Sequence, residues 1–239
     1  MLTSKKVAIL QSNYIPWKGF FDMVNMVDEF ILYDDVQYTI SDWRNRNKIK
    51  TPAGTAWLII PIRHDSHDQK INESVVSMNN WALKHWRTIS QTYAKAPFFK
   101  LYKDELEAVY MTLGTDHLSL INYAFIQFVC RQLNITTKIS WSSDYVLGPG
   151  KTERLVQLVQ DAGGSEYLSG PAAQNYLLPS LFEEASLKLT WMDYSDYPEY
   201  KQLGPAPFEH GVTILDLLFN TGPEAPAYMK SFASQTKQA

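Results

Sequence analysis

Hydrophobic and polar positions follow two periods along this chain. Short apolar runs of strand length stand near both ends, and helical spacing fills the middle. Val7-Ala8-Ile9-Leu10 is bounded by polar residues and reads as a buried strand. A turn-rich stretch, Gln11 to Gly19, follows. Phe20, Phe21, Val24 and Val27 then predict a helix over 20–27. Residues 29–35 form a second apolar strand, so the opening predicts a βαβ unit. Segments 47–51 and 55–62 are the arms of a hairpin around Pro52-Ala53-Gly54.

Asn79 or Asn80 can cap a helix running to about Ala94 and ended near Pro97, and helices over 99–112 and 116–133 follow. A strand at 138–142 leads to the Gly148-Pro149-Gly150 turn. Thr152 caps a helix through about Ala162, stopped by Gly163-Gly164. Tyr167-Leu168-Ser169-Gly170 is a short strand and turn, followed by a helix at 172–185 and a strand at 187–192. Residues 193–210 read as ordered loop, 212–219 as an apolar closing helix carrying Asp216, and the last dozen residues as a frayed polar end. The fold expected is α/β: a mostly parallel sheet with flanking helices and a central helical insertion at about 79–134. One domain covers 1–222, and 223–239 is a C-terminal tail.

Composition narrows the classes. The 239 residues are 45% hydrophobic and 20% charged, ordinary for a globular protein. A net charge of -3 offers no basic field, so no nucleic-acid partner is expected. A single cysteine, Cys130, excludes an internal disulfide or a multi-cysteine zinc site, and its apolar neighbours mark a structural thiol. No apolar run approaches 18 residues, so no membrane span is expected, and the first apolar run is too short for a signal segment. A cytoplasmic enzyme or binding protein is the expectation. The 7 Trp, 14 Tyr and 11 Phe suit carbohydrate or nucleotide surfaces, and equally a plain core.

The densest chemistry lies at Trp43-Arg44-Asn45-Arg46-Asn47-Lys48, where three cations and two carboxamides occupy five positions. At the mouth of a sheet these offer guanidinium forks and amides to an anionic or sugar-like ligand; elsewhere they form a solvated turn. The first βα loop is where an open α/β sheet binds ligands, which places Asn13, Tyr14, Trp17, Lys18 and Gly19 there. Gly19 at a helix start would let an anion approach the backbone. Nucleotidylyltransferase-type sheets carry two histidines around a glycine in that loop; here Trp17 and Phe20 stand in their place.

Asp34 and Asp35 end the second strand on opposite faces, so one is expected to face the site and the other to pair with an arginine. No metal and no cofactor are expected. Trp81, Lys84 and His85 share a helix face, which suits His85 as a general base kept neutral by Lys84. His64-Asp65-Ser66-His67-Asp68 has metal-ligand composition but reads as a solvated loop. Lys151 and Arg154 can hold a phosphate at a helix start, and Ser169 offers a binding hydroxyl.

Several segments together resemble the WbqC-like protein family. They are Gln11-Ser12-Asn13-Tyr14-Ile15-Pro16-Trp17-Lys18-Gly19-Phe20-Phe21, Tyr33-Asp34-Asp35-Val36-Gln37-Tyr38 and Trp43-Arg44-Asn45-Arg46-Asn47. Trp81 with Lys84-His85, Tyr93-Ala94-Lys95-Ala96-Pro97-Phe98-Phe99, Lys151-Thr152-Glu153-Arg154-Leu155, Tyr167-Leu168-Ser169-Gly170 and Asp216-Leu217-Leu218-Phe219-Asn220 continue in the family's order. Family members often carry His-Gln-Pro where this chain has Gln11-Ser12-Asn13. The resemblance implies bacterial surface-polysaccharide (O-antigen type) assembly and transfer of glycine or another acyl group onto an amino sugar.

On that reading the partners are a nucleotide-linked or lipid-linked sugar and an acyl or aminoacyl donor, such as one on a carrier protein. Arg44, Arg46, Lys18 and Lys151 would hold phosphates. Asp34 or Asp35 would bind a sugar hydroxyl or the donor's amine. His85 would be the base, and Asn45 and Asn47 would stabilise an oxyanion. The alternatives are a nucleotide-handling enzyme, which would bind a triphosphate with Mg²⁺, and a non-catalytic sugar-nucleotide binding protein.

Overall fold

The computed structural model describes residues 4–233. Strand β1 (Lys6–Leu10), helix α1 (Lys18–Asn25) and strand β2 (Glu29–Leu32) form the expected βαβ unit. The hairpin is β3 (Arg46–Thr51) and β4 (Gly54–Ile59), with Gly54 at φ +116, a conformation that glycine alone adopts cheaply. Three helices follow: α2 (Trp81–Tyr93), α3 (Phe99–Met111) and α4 (Leu118–Gln132). The chain then re-enters the sheet as β5 (Lys138–Trp141), α5 (Thr152–Asp161), β6 (Glu166–Ser169), α6 (Pro179–Glu184) and β7 (Lys188–Trp191). It closes with α7 (Ile214–Thr221).

All five sheet strands run parallel in the order β5-β2-β1-β6-β7, and the antiparallel β3–β4 hairpin stands apart. The α/β class and the mostly parallel sheet are therefore as expected. Period-2 alternation gives the sheet two apolar faces. Ala8, Phe30, Leu32 and Leu168 pack into a core shared with α1, α2, α3, α4 and α7. Val7, Ile9, Ile31 and Tyr167 pack against α5 and α6. Chain order reverses at β1, whose neighbours are β2 on one side and β6 on the other. Open α/β sheets bind ligands at the carboxyl ends of the strands flanking such a point.

Several local expectations are corrected. β2 stops at Leu32, before the two carboxylates, because the Asp34 carboxylate turns inward onto the Ser12 N–H. Helix α1 starts at Lys18, so Gly19 lies inside it. A side chain at Gly19 would overlap the Trp17 indole, so that close approach is made by a tryptophan. Asn80 stands at the start of α2 without a side-chain cap bond. Thr152 is the first helical residue of α5 and its hydroxyl accepts from Leu178 N at 3.3 Å, so it does not cap the helix.

The helix expected over 172–185 is divided into a 3₁₀ turn at Pro171–Asn175 and the short α6, because a residue before proline, here Leu178, disfavours the helical region. The C-terminal end is docked further than expected. Met229 is buried, and Lys230 N and Ser231 N donate to the buried Asp22 carboxylate at 3.0 and 2.8 Å. The rest of the expected frayed end, 234–239, lies outside the described residues. Cys130 is buried, and burial pushes its thiol up to about 12, as befits a structural residue.

Candidate functional site

Two cavities open beside the carboxyl edge of the sheet. The larger, about 500 Å³, lies between the ends of β1 and β6 and is lined by Gln11, Tyr33, Lys151, Arg154, Ser169 and Tyr176, among others. The smaller, about 290 Å³, is lined by Asn13, Pro16, Trp17, Trp43, Asn47, His210 and Gly211.

Arg44 links them. Its guanidinium donates to Asn13 Oδ1, which lines the smaller cavity, and at 3.3 Å to Gln11 Oε1, which lines the larger. Asp42 lies 3.6 Å away, and the Arg44 side chain is only 15% exposed. A guanidinium so placed reaches two amide acceptors from two nitrogens of one planar group, which a lysine cannot reproduce. Arg44→Lys is therefore expected to weaken ligand binding at both cavities by about 1–3 kcal/mol, read as a shift in dissociation constants; unchanged affinity at either would refute the linkage.

Buried amides of β3 and α4 stitch the first loop to the hairpin and the segment before it. Asn47 Nδ2 donates to the Tyr14 and Ile15 carbonyls at 3.2 and 2.8 Å. Asn122 Nδ2 donates to Ser12 Oγ and to the Arg44 carbonyl, both at 2.9 Å. Tyr14 N donates to the Trp43 carbonyl at 3.1 Å. Inside this stitching Ile15 holds φ +39, a costly angle for a β-branched residue, of order 1–3 kcal/mol. Backbone strain of that kind persists only where the surroundings over-determine it, and it concentrates at functional sites.

Asp34 is buried beneath this loop. Its carboxylate accepts from Ser12 N at 2.8 Å and Ser119 Oγ at 2.6 Å. Burial raises its pKa, against those hydrogen bonds and the Arg44 charge. Asp35 accepts from Asn72 at 2.9 Å and Ser142 at 2.5 Å. Neither carboxylate forms the expected ion pair with an arginine, and neither lines the two cavities; both fasten loops.

His85 sits in the core among Tyr14, Trp81, Tyr110 and Phe125. Its Nε2 donates to the Ile59 carbonyl at 3.1 Å, so its Nδ1 accepts from the Tyr14 hydroxyl at 2.9 Å. Burial lowers its pKa to about 4, against the Ile59 hydrogen bond. Lys84 is exposed and does not share its face, so burial keeps the ring neutral. With both nitrogens committed and lining neither of the two cavities, His85 holds Tyr14 in place and is not positioned as the expected general base.

Other expected residues lie elsewhere. Lys18 is buried, donates to the Pro198 carbonyl at 3.0 Å, and lies 4.8, 5.5 and 6.0 Å from the Tyr197, Tyr200 and Phe208 rings. Burial pushes it down to about 8, against the Asp22 and Glu199 charges. It holds the 194–208 loop and does not face a phosphate site. Asn45 Nδ2 donates to the Ile60 carbonyl at 2.8 Å. The Arg46 guanidinium rests 4.3 Å from the Trp57 ring centre and donates to the Ser41 carbonyl. Asn45 and Arg46 line a separate depression of about 200 Å³ with Tyr38 and His64.

The structure thus gathers Asn13, Trp17, Trp43 and Asn47 at one cavity and Lys151, Arg154 and Ser169 at the other, with Arg44 between. The His64–Asp68 loop is exposed, as expected. Among the described residues no group of three His, Cys, Asp or Glu is placed to hold a metal, and no helix is long and apolar enough to cross a membrane. Gln11, Tyr33, Tyr176, His210 and Gly211 are lining residues that the sequence reading missed. For His210 and Gly211 the available signal was a histidine beside a glycine at the end of an ordered, proline-rich loop.

The model of the WbqC-like protein family matches residues 11–228. Uncharacterized protein Rv1507c of Mycobacterium tuberculosis (strain ATCC 25618 / H37Rv) is 48% identical over 227 residues, covering 95% of this chain and 98% of that protein. No solved structure matches the chain.

Proposed function

We propose that this chain, which belongs to the WbqC-like protein family, is a transferase of bacterial surface-polysaccharide assembly. It moves glycine or another acyl group onto an amino sugar carried on a nucleotide or lipid phosphate. The observation that carries this reading is the pairing of two unlike cavities on one loop, bridged by Arg44.

The larger cavity suits the phosphate-bearing sugar. Lys151 is exposed there and has no ion-pair partner among the described residues. Arg154 is aimed by its Nε donating to the Gly148 carbonyl at 2.7 Å and its Nη1 donating to the Tyr33 hydroxyl at 3.2 Å. Cations beside the first turn of α5 favour an anion at that point. Gln11 and Ser169 supply polar atoms for sugar hydroxyls. The smaller cavity, walled by Trp17 and Trp43 with Asn13 as an amide and Asn47 holding its loop, suits a sugar ring and a short acyl group, since rings stack on indoles while an amide orients them.

The test is thermal stabilisation by a panel of nucleotide-linked amino sugars, free nucleotides and acyl thioesters. A ligand at 100 times its dissociation constant adds about 2.7 kcal/mol. A nucleotide-linked amino sugar is expected to stabilise the wild type and to lose that effect in Lys151→Ala. Stabilisation only by a triphosphate with Mg²⁺ would replace this reading with nucleotide chemistry, which the position at the sheet's switch point also suits. Binding without turnover for every donor would make the protein a sugar-nucleotide binder.

A further inference from the structure

We propose that His210 is the general base that takes the proton from the acceptor amine, an assignment that rests on the transferase reading above. His210 is the one titratable side chain among those lining the smaller cavity. The other acids and bases considered for catalysis, and Lys18, considered for the phosphate, are committed elsewhere. His85 and Asp34 are buried with their polar atoms in use, Asp35 is tied to Asn72 and Ser142, and Lys18 is enclosed by the 194–208 loop.

The backbone around His210 is held on both sides, although the side chain itself is 45% exposed. Gln202 Nε2 donates to the Glu209 carbonyl, and Glu209 N donates back to Gln202 Oε1, both at 2.9 Å. Gly211 N donates to the Glu209 carboxylate at 2.9 Å, and Thr213 N to the Lys48 carbonyl at 2.8 Å. The Phe208 ring packs edge-on against the imidazole at 4.5 Å between ring centres. Gln202 is itself anchored by a 2.8 Å bond to the buried Asp216. The peptides flanking this solvent-reaching histidine are tied to Gln202, which Asp216 anchors, and the chain is fixed again at Thr213, so the imidazole is held at the cavity.

Glu199 lies 3.9 Å from His210 Nε2, within reach to orient the ring. The other charged groups around it are the Glu209 carboxylate, engaged by Gly211 N, Lys48, whose Nζ approaches Gly211, and Lys18, which lines a small void with Phe208 and His210.

The step balances as follows. The neutral amine of the sugar attacks the acyl carbon of an oxygen ester or thioester. An N–C bond forms, and the C–O or C–S bond breaks with its electron pair leaving on oxygen or sulfur. The proton shed by nitrogen passes to His210 and is returned to the departing atom. Nothing is oxidised or reduced.

The experiment follows transfer from acetyl- and glycyl-pantetheine thioesters to UDP-linked 2-, 3- and 4-amino sugars, across pH, in wild type, His210→Asn and Glu199→Gln. His210→Asn is expected to lower kcat about 10²- to 10⁴-fold, with little change in KM or in melting temperature, and to lose the acid limb of the wild-type pH–rate profile. Glu199→Gln should show a smaller loss. Wild-type turnover with the same rate and profile in His210→Asn would overturn the assignment and leave the transferase reading standing. No turnover by the wild type with any donor would overturn both.

Discussion

Asp216→Ala lowers stability by about 3–5 kcal/mol, and with it the order of the loop that carries His210. The residue is buried in α7 and its carboxylate accepts three hydrogen bonds: from Tyr93 at 2.9 Å, Tyr200 at 2.7 Å and Gln202 at 2.8 Å. Alanine strands the Tyr93 and Tyr200 hydroxyls, each at about 1–3 kcal/mol, and leaves a small void, while Gln202 Nε2 keeps its bond to the Glu209 carbonyl. Tyr93 retains part of its bonding by accepting from Lys50 N at 3.2 Å, which holds the sum below its maximum. A loss of this size lowers Tm by roughly 10 °C for a chain of this length. Asp216→Asn keeps one acceptor and is expected to lose about half as much. Calorimetry of the two variants decides the matter; an Asp216→Ala protein within 1 kcal/mol of wild type would show that the stranded hydroxyls find other partners.

His85 gives the protein a specific sensitivity to acid. An unfolded histidine titrates near 6.5, whereas burial holds the folded ring at about 4. The unfolded chain therefore binds a proton first as pH falls. Stability from this residue is complete above about pH 6.5 and drains away towards pH 4, by about 3 kcal/mol in all. Glu29 acts in a lower window. Burial would raise its pKa, but hydrogen bonds from Lys5, Ser140, Tyr145 and Lys138 outweigh burial and hold it at about 2. Its contribution is present above the ordinary glutamate range and is lost only as pH falls towards 2.

Urea unfolding at pH 7 and pH 4.5 separates the two. His85→Gln offers Tyr14 an acceptor and Ile59 a donor without a titrating ring. It should be less stable than wild type at pH 7, with most of that difference gone at pH 4.5. An unchanged difference at the two pH values would mean that the ring is already charged or solvent-reached in the fold.

The βαβ opening, the hairpin and the three central helices were legible because each rests on local period and turn chemistry. Where local signals misled, a tertiary contact had overridden them. The apolar run of β2 continues towards Asp34 in the sequence, but the strand ends when that carboxylate finds the Ser12 N–H across the loop. Thr152 has the composition of a cap and instead accepts from Leu178, 26 positions away.

Candidate chemistry was less legible than fold. Arg44 and Arg46 look alike in the sequence. In the structure one bridges two cavities and the other lies on Trp57. His85, expected at the site, lies in the core, and His210, for which no role was expected, lines the smaller cavity. The helix pattern drew attention to His85, whose nitrogens the core consumes, while no periodicity marks His210 in its loop.

By itself the sequence determined the α/β class, the parallel sheet and membership of the family, because strand and helix periods and an ordered set of motifs are local properties that survive being read one segment at a time. Only the tertiary structure decided which polar residues are free to meet a ligand. That depends on whether a buried donor or acceptor is already satisfied by a partner far along the chain, as Asp34 is by Ser119 and His85 by Tyr14 and Ile59, and no spacing rule along the sequence reports it.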